Sequence, residues 1–242
     1  MQDHRNDQNH LSNIHRIAVL SDTHGLLRPE VIRVVKTCGA VLHAGDVGTP
    51  QVLHTLRGLA PVFAVRGNVD RDAALIKELP QECHVTLGGI RFYLVHDKKE
   101  IPPELKETDV VICGHSHRYE EAEGPVRRLN PGSCGPRRFR LPVTMMVLTL
   151  HEDGHSFTVQ RIDLLSGKER QEPDPGNLPT DRELDRLIRS VIRQVNAGRT
   201  VAQIAARTRA PEELVADICR IYVTHPGVDI DGILDRMERK NL

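Results

Sequence analysis

Several features are missing from this sequence, and each absence removes a class of function. No apolar run approaches the roughly eighteen residues that a membrane-crossing helix needs, so no membrane partner is expected. The 33 Lys and Arg are cancelled by 33 Asp and Glu. No global field therefore advertises nucleic acid, a lipid surface or a polyanion. The five cysteines (Cys38, Cys83, Cys113, Cys134 and Cys219) form no Cys-x-x-Cys pair and are odd in number. They read as ordinary core thiols of a reduced, cytoplasmic protein. Residues 1–13 are polar and lack the apolar stretch of a secretory signal, so a flexible tail over 1–15 is expected. No internal repeat is visible.

What is present suits a globular chain. Of 242 residues, 39% are hydrophobic and 27% charged, enough for one medium domain with a real core and a smaller appendage. From Arg16 the pattern is strand, turn, helix, repeated. Apolar runs at 17–21, 40–43 and 61–65 alternate with helical patterns at 29–36, 51–56 and 73–79. Pro29 sits where a first helical turn tolerates proline. This rhythm predicts parallel strands with helical crossovers. Further on, 84–87 and 90–95 flank Gly88-Gly89, and 143–150 and 156–162 flank Asp153-Gly154, two hairpin signals. A short buried strand is expected at 109–113. The fold class is α/β with mixed α+β character, two mixed sheets packed together with helices outside.

Residues 166–180 hold three prolines and two glycines and read as a linker. Beyond them the period is helical, defining a small domain over 181–242. Thr180 and Glu183 form one capping box, Thr200 and Gln203 another. Leu184, Leu187, Ile188, Val191, Ile192 and Val195 share one face. The stretch 200–224 looks like a helix-turn-helix. From residue 181 onward, however, eleven basic side chains meet ten acidic ones. Pro211-Glu212-Glu213 would also repel phosphates at the end a recognition helix inserts. Helix packing, for homo-oligomerisation or for docking on the larger domain, is the better reading, and nucleic acid is a disfavoured partner. Asp229-x-Asp231-Gly232 lacks the other oxygens of a calcium loop and reads as a helix cap.

Five strand ends carry one kind of cargo: Asp22-x-His24, Gly45-Asp46, Gly67-Asn68, His96, and Gly114-His115-x-His117. Each places Asp, Asn or His where an apolar strand becomes a loop, the rim at which α/β sheets bind ligands. Carboxylate, amide oxygen and imidazole together suit borderline divalent metals without any thiolate. A carboxylate can bridge two cations, whereas a neutral imidazole cannot.

In order along the chain, Ser-Asp-Thr-His-Gly, Ala-Gly-Asp-Val, Arg-Gly-Asn-Val-Asp, Val-His and Cys-Gly-His-Ser-His resemble the calcineurin-like metallophosphoesterase superfamily. The compact length and Asn-Pro-Gly-Ser at 130–133 are similar to its small phosphodiesterases of the YfcE type. The resemblance covers residues 16 to 163. It implies a four-layer α-β-β-α sandwich over 16–165 and two divalent metals, Mn²⁺ ahead of Fe²⁺, Ni²⁺ or Zn²⁺. Asp22, His24 and His117 would hold one ion and Asn68, His96 and His115 the other, with Asp46 bridging. A hydroxide between the ions would attack a small phosphodiester without a covalent enzyme intermediate. A phosphomonoesterase or nuclease with the same core, and a non-catalytic protein-interaction scaffold of the same fold, are the alternatives.

Two departures stand out. Many relatives carry His after the third-motif Asn, poised over the leaving oxygen, where this chain has Val69. After the fourth-motif His, this chain has Asp97-Lys98-Lys99, and Asp97 could orient a ligand or narrow the cleft. Arg66 is a candidate phosphate contact. The cluster Arg137, Arg138 and Arg140 is equally a solvated loop. His43 reads as a core or supporting residue inside its strand, not as a ligand.

Overall fold

The computed structural model describes residues 14–105, 107–137, 141–165 and 181–239. Residues 1–13 of the tail expected over 1–15, the linker over 166–180, Thr180 of the first capping box, and Arg138 and Arg140 lie outside them; Ile14, at the end of that expected tail, is buried. The described residues form two compact units, one up to residue 165 and the other from 181.

In the first unit, β1 (Arg16–Leu20), β2 (Ala40–His43) and β3 (Val62–Ala64) run parallel. They are followed in turn by α1 (Pro29–Val35), α2 (Pro50–Arg57) and α3 (Ala73–Glu78). The hairpin of β9 (Thr144–Leu150) and β10 (Phe157–Asp163) adds antiparallel to β1, giving the order β10-β9-β1-β2-β3. The second sheet has the order β4-β5-β6-β8-β7. It is built from β4 (Glu82–Leu87), β5 (Ile90–Val95), β6 (Val110–Ile112), β7 (Tyr119–Ala122) and β8 (Arg127–Pro131).

Strand alternation makes the layers. In β1, Ile17 and Val19 face the second sheet with Phe92, Leu94, Ile112 and Leu129. Ala18 and Leu20 face outward with Val31, Val35, Leu53 and Leu56 of the helices. β9 repeats this, Met146 and Leu148 inward against Met145 and Val147 outward. Strands buried on both faces read as continuous apolar runs, which is why β1 and β9 are plain in sequence. Each such side chain contributes about 1.5–3 kcal/mol on burial. The outer face of the second sheet is thinly covered: Tyr93, Val95, Val111 and Cys113 pack against Ile101 and Leu105, just beyond a 3₁₀ turn at Lys98–Glu100.

β7 and β8 are the strands the sequence pattern does not announce. Only Leu129 of the pair joins the core between the sheets as a fully buried side chain, and ion pairs run diagonally across the ladder. Arg128 bonds Glu120 at 2.7 Å and Arg127 bonds Glu121 at 3.0 Å. Such pairs stabilise a ladder modestly and leave no apolar periodicity to read.

The second unit comprises α4 (Asp181–Asn196), α5 (Val201–Thr208), α6 (Glu212–Thr224) and α7 (Ile230–Arg239). Leu184, Ile188 and Val191 of α4 meet Ile204, Val215, Ile218, Ile221 and Ile233 in a core of their own. Thr200 and Gln203 form their capping box. Asp229 Oδ1 accepts from Gly232 N at 2.9 Å, the helix cap expected there. Glu212 and Glu213 are exposed in the first turn of α6. No helix among the described residues is long and apolar enough to cross a membrane.

Candidate metal centre

The loops after β1, β2, β3, β5 and β6 deliver Asp22 and His24, Asp46, Asn68, His96, and His115 and His117. All leave the carboxyl ends of parallel strands. The backbone laces the first two loops together. Asp22 N donates to Gly45 O at 3.0 Å, His24 N to Asp46 O at 2.9 Å and Gly25 N to Val47 O at 2.9 Å.

Five of these seven residues have a positive φ: Asp22 (56°), His24 (47°), Asp46 (53°), His115 (67°) and His117 (55°). Among the described non-glycine residues, only Glu107 and Arg209 share that feature. Left-handed backbone costs a side-chain-bearing residue on the order of 1–3 kcal/mol and persists where the surroundings over-determine it, typically at functional sites. Here the strain turns side chains of several loops toward one point.

Two groups converge. Around Asp22, His117 Nε2 lies 3.2 Å and His24 Nε2 3.9 Å from Oδ1, and the two imidazole Nε2 atoms are 3.1 Å apart. Around Asp46, His96 Nε2 lies 3.3 Å from Oδ2 and 3.0 Å from Asn68 Oδ1. Asp22, His24 and His117 offer ligand atoms all within 4.8 Å of one another, as do Asp22, Asp46 and His96. Donors about 2.0–2.2 Å from one cation cannot be more than about 4.4 Å apart, and the individual distances of 3.0–3.9 Å around Asp22 and Asp46 satisfy that. Asp22 Oδ1 is fully buried and makes no hydrogen bond of good geometry among the described residues, with only the His117 imidazole, 3.2 Å away, beside it. A buried carboxylate oxygen left so is costly unless a cation meets it. The residues therefore fit divalent metal ions. His115 differs: its backbone N–H donates to Asp22 Oδ2 at 3.2 Å, its ring stands edge-on to His96, and Nε2 faces Asp97.

The glycines let the loops close. A Cβ on Gly67 would collide with the side chain and backbone nitrogen of Asp46, and one on Gly114 with Ser21 Oγ.

The pattern that defines the calcineurin-like phosphoesterase superfamily domain matches residues 16–153. The chain belongs to this superfamily. It is 33% identical over 162 residues to the probable metallophosphoesterase of Methanothermobacter thermautotrophicus, covering 60% of this chain and 91% of that protein. A probable metallophosphoesterase of Methanocaldococcus jannaschii is 31% identical over 148 residues, 57% of this chain and 76% of that one. A solved structure described as a novel archaeal phosphodiesterase superposes with a TM-score of 0.51 at 24% identity, covering 61% of this chain and 99% of its own. That likeness shows a shared fold. The superfamily binds divalent metals, in keeping with the donor set here.

Several supporting residues of this calcineurin-like centre escape a reading by motif. Asp70 is buried and accepts from Gly48 N at 2.7 Å, Gly67 N at 2.8 Å and Val47 N at 3.2 Å, tying the β2 and β3 loops together. Burial raises its pKa, and the three N–H groups work against that. Ser21 Oγ donates to Asp22 Oδ2 at 2.5 Å and Ser133 Oγ to the Asp22 carbonyl at 2.9 Å. Asn130 Nδ2 donates to Gly114 O at 2.7 Å. Asp70 closes Arg-Gly-Asn-Val-Asp, and Asn130 and Ser133 begin and end Asn-Pro-Gly-Ser. Those runs held the signal, but not the partners. His43 is buried in β2 with Nε2 2.9 Å from Thr23 Oγ1, and burial takes its pKa down to about 4. It supports the Asp22 loop and lies in neither ligand group.

Asp70→Ala orphans three N–H groups and should cost about 3 kcal/mol, read as a shift in urea midpoint. Asp70→Asn, which keeps one acceptor, should lose less.

Burial works against a charged His96, but the Asp46 carboxylate outweighs it and lifts the pKa from 6.5 to about 10. A raised folded-state pKa gives stability that is full below about 6.5 and is lost as pH rises toward about 10. The denaturant midpoint of chelator-treated protein should therefore fall between pH 7 and 10. Saturating metal, which takes His96 neutral, should flatten that slope.

Proposed function

We propose that the protein is a metal-dependent phosphodiesterase working through two divalent cations, Mn²⁺ foremost. The observation that carries this reading is the position of Asp46. Its Oδ2 lies 3.3 Å from His96 Nε2 and 4.0 Å from His24 Nε2. One carboxylate oxygen thus reaches both halves of the centre, as a bridging ligand must. Asp22, His24 and His117 hold one ion, and Asn68, His96 and His115 the other. Bound there, the cations supply Lewis acidity toward a phosphate oxygen and activation of water at neutral pH.

The chain's own residues do the rest. Burial favours the protonated forms of Asp22 and Asp46, yet His117 and His96 respectively hold both carboxyls below the usual range. The pair stays anionic for cations. A cleft of about 300 Å³ opens beside the Asn68 half, lined by Arg66, Gln81, Asp97 and Glu100 together with Gly67, Asn68, His96 and His115. Arg66 lines this cleft and could fork two bonds to a phosphate there. Among the described residues that line this cleft there is no Phe, Tyr, Trp or aliphatic side chain, which favours recognition of the esterified group by hydrogen bonds. Val69 offers no proton to a departing alkoxide. Its backbone N–H instead holds Asp46 Oδ1 at 2.9 Å. Esters with good leaving groups should therefore turn over faster than alkyl esters. The helical unit, with its exposed Glu212 and Glu213, is proposed as a packing element and not a DNA reader.

The test is turnover of bis-p-nitrophenyl phosphate by chelator-stripped protein to which Mn²⁺ is returned. Activity that appears with Mn²⁺ and exceeds that on p-nitrophenyl phosphate supports the reading. A monoester preference would make the protein a phosphomonoesterase, and no turnover of either with Mn²⁺, Fe²⁺, Ni²⁺ or Zn²⁺ would count against catalysis.

A further inference from the structure

Charge in the helical unit is nearly balanced in total but segregated along the chain. Residues 186–211 hold six arginines and no acid, whereas residues 212–235 hold six acids and one arginine. The sign changes at the corner between α5 and α6. Arg207 and Arg209 stand on the α5 side of this corner and Glu212 and Glu213 on the α6 side, all four exposed.

Within one helix, charges three or four residues apart meet. Arg220 and Asp217 do so inside α6, at 3.1 Å. The corner prevents it. Arg209 caps α5 in left-handed backbone, with φ 57° and ψ 26°, and Pro211 is extended before α6 begins. Arg209 and Glu212 are therefore three residues apart without being neighbours on a helix face. None of the four side chains has an ion-pair or hydrogen-bond partner among the described residues. Both signs of charge stand side by side, and neither is satisfied within the chain.

A basic pair beside an acidic pair is complementary to itself. Turned about a two-fold axis through the corner, a second copy lays its acidic pair over the first copy's basic pair and receives the reverse, as an isologous contact requires. A nucleic acid would satisfy the arginines alone and would bring its phosphates against two unpaired carboxylates. We propose that the α5–α6 corner is the contact surface between two copies of this chain, with Arg207 and Arg209 of each set against Glu212 and Glu213 of the other. Exposed ion pairs orient partners more than they bind them, so the dimer is sensitive to salt. The proposal is independent of the metal centre.

Sedimentation equilibrium of the full chain at pH 7 tests it. Wild type should have the mass of a dimer in about 0.01 M salt, where charges act over about 30 Å. In about 1 M salt, where they act over about 3 Å, it should have that of a monomer. Two double variants carry the decisive comparison. Arg207→Glu with Arg209→Glu makes the corner wholly acidic, and Glu212→Arg with Glu213→Arg makes it wholly basic. Each alone should associate roughly 100-fold more weakly than wild type, because like charges then meet. Mixed in equal amounts at low salt, the two should recover a dimer. Circular dichroism matching that of wild type separates loss of contact from loss of fold. A wild type that stays monomeric at low salt would overturn the proposal without help from any variant. So would a dimer that survives both reversals, or folded variants that fail to associate when mixed. A monomeric wild type that binds a labelled single-stranded oligonucleotide would give the corner to nucleic acid instead.

Discussion

Asp46→Ala should lower kcat/KM toward bis-p-nitrophenyl phosphate by on the order of 10³-fold, about 4 kcal/mol of transition-state stabilisation, at saturating Mn²⁺. The size follows from what one carboxylate does. Its Oδ2 serves both halves of the centre, while Oδ1 takes the Val69 N–H. On the proposed two-ion reading, removing it would separate ions that act as one unit, and losses within such a unit are far from additive. His96 also loses the partner that holds it charged in the metal-free protein. The alkaline loss of stability expected of the chelated wild type should therefore shrink in this variant. Steady-state kinetics across a Mn²⁺ titration is the check. A fall below tenfold would remove Asp46 from its bridging role.

Gly67→Ala should be nearly as damaging, although glycine supplies no chemistry. The added methyl meets both the carboxylate and the backbone nitrogen of Asp46. Backbone on one side and a ligand on the other leave no cheap way to yield, and overpacking of this kind costs about 1–3 kcal/mol. The midpoint of thermal unfolding should drop by roughly 2–12 °C for a chain of this size. Activity should fall by about 10²-fold, because displacement of a ligand by an ångström is enough. Gly124→Ala is the control: its nearest neighbour beyond the adjoining residues is Val126 O at 3.5 Å, and its φ is not positive. Equal melting and activity for the two variants would mean that the β3 loop tolerates displacement of Asp46.

The contrast between these two positions shows what a sequence reveals about such a centre. Asp22, His24, Asp46, Asn68, His96, His115 and His117 were legible because each follows an apolar strand with residue types that bind metals. β1 and β9 were legible because both their faces are buried. β7 and β8 were not, since Arg127, Arg128, Glu120 and Glu121 pair across the ladder by charge and show no apolar period. Asp70 could be seen only as the end of a motif. Its three N–H partners come from two loops some twenty residues apart in the chain, and nothing in their spacing announces one staple. Side-chain type is local information, whereas partnership across loops is set by the fold.

The most direct measurement is anomalous scattering from a crystal of the protein equilibrated with Mn²⁺. Two peaks about 3.5–4 Å apart are expected, one beside Asp22, His24 and His117 and the other beside Asn68, His96 and His115, with Asp46 reaching both. A single peak, or manganese bound away from these seven side chains, would contradict a two-ion phosphoesterase centre.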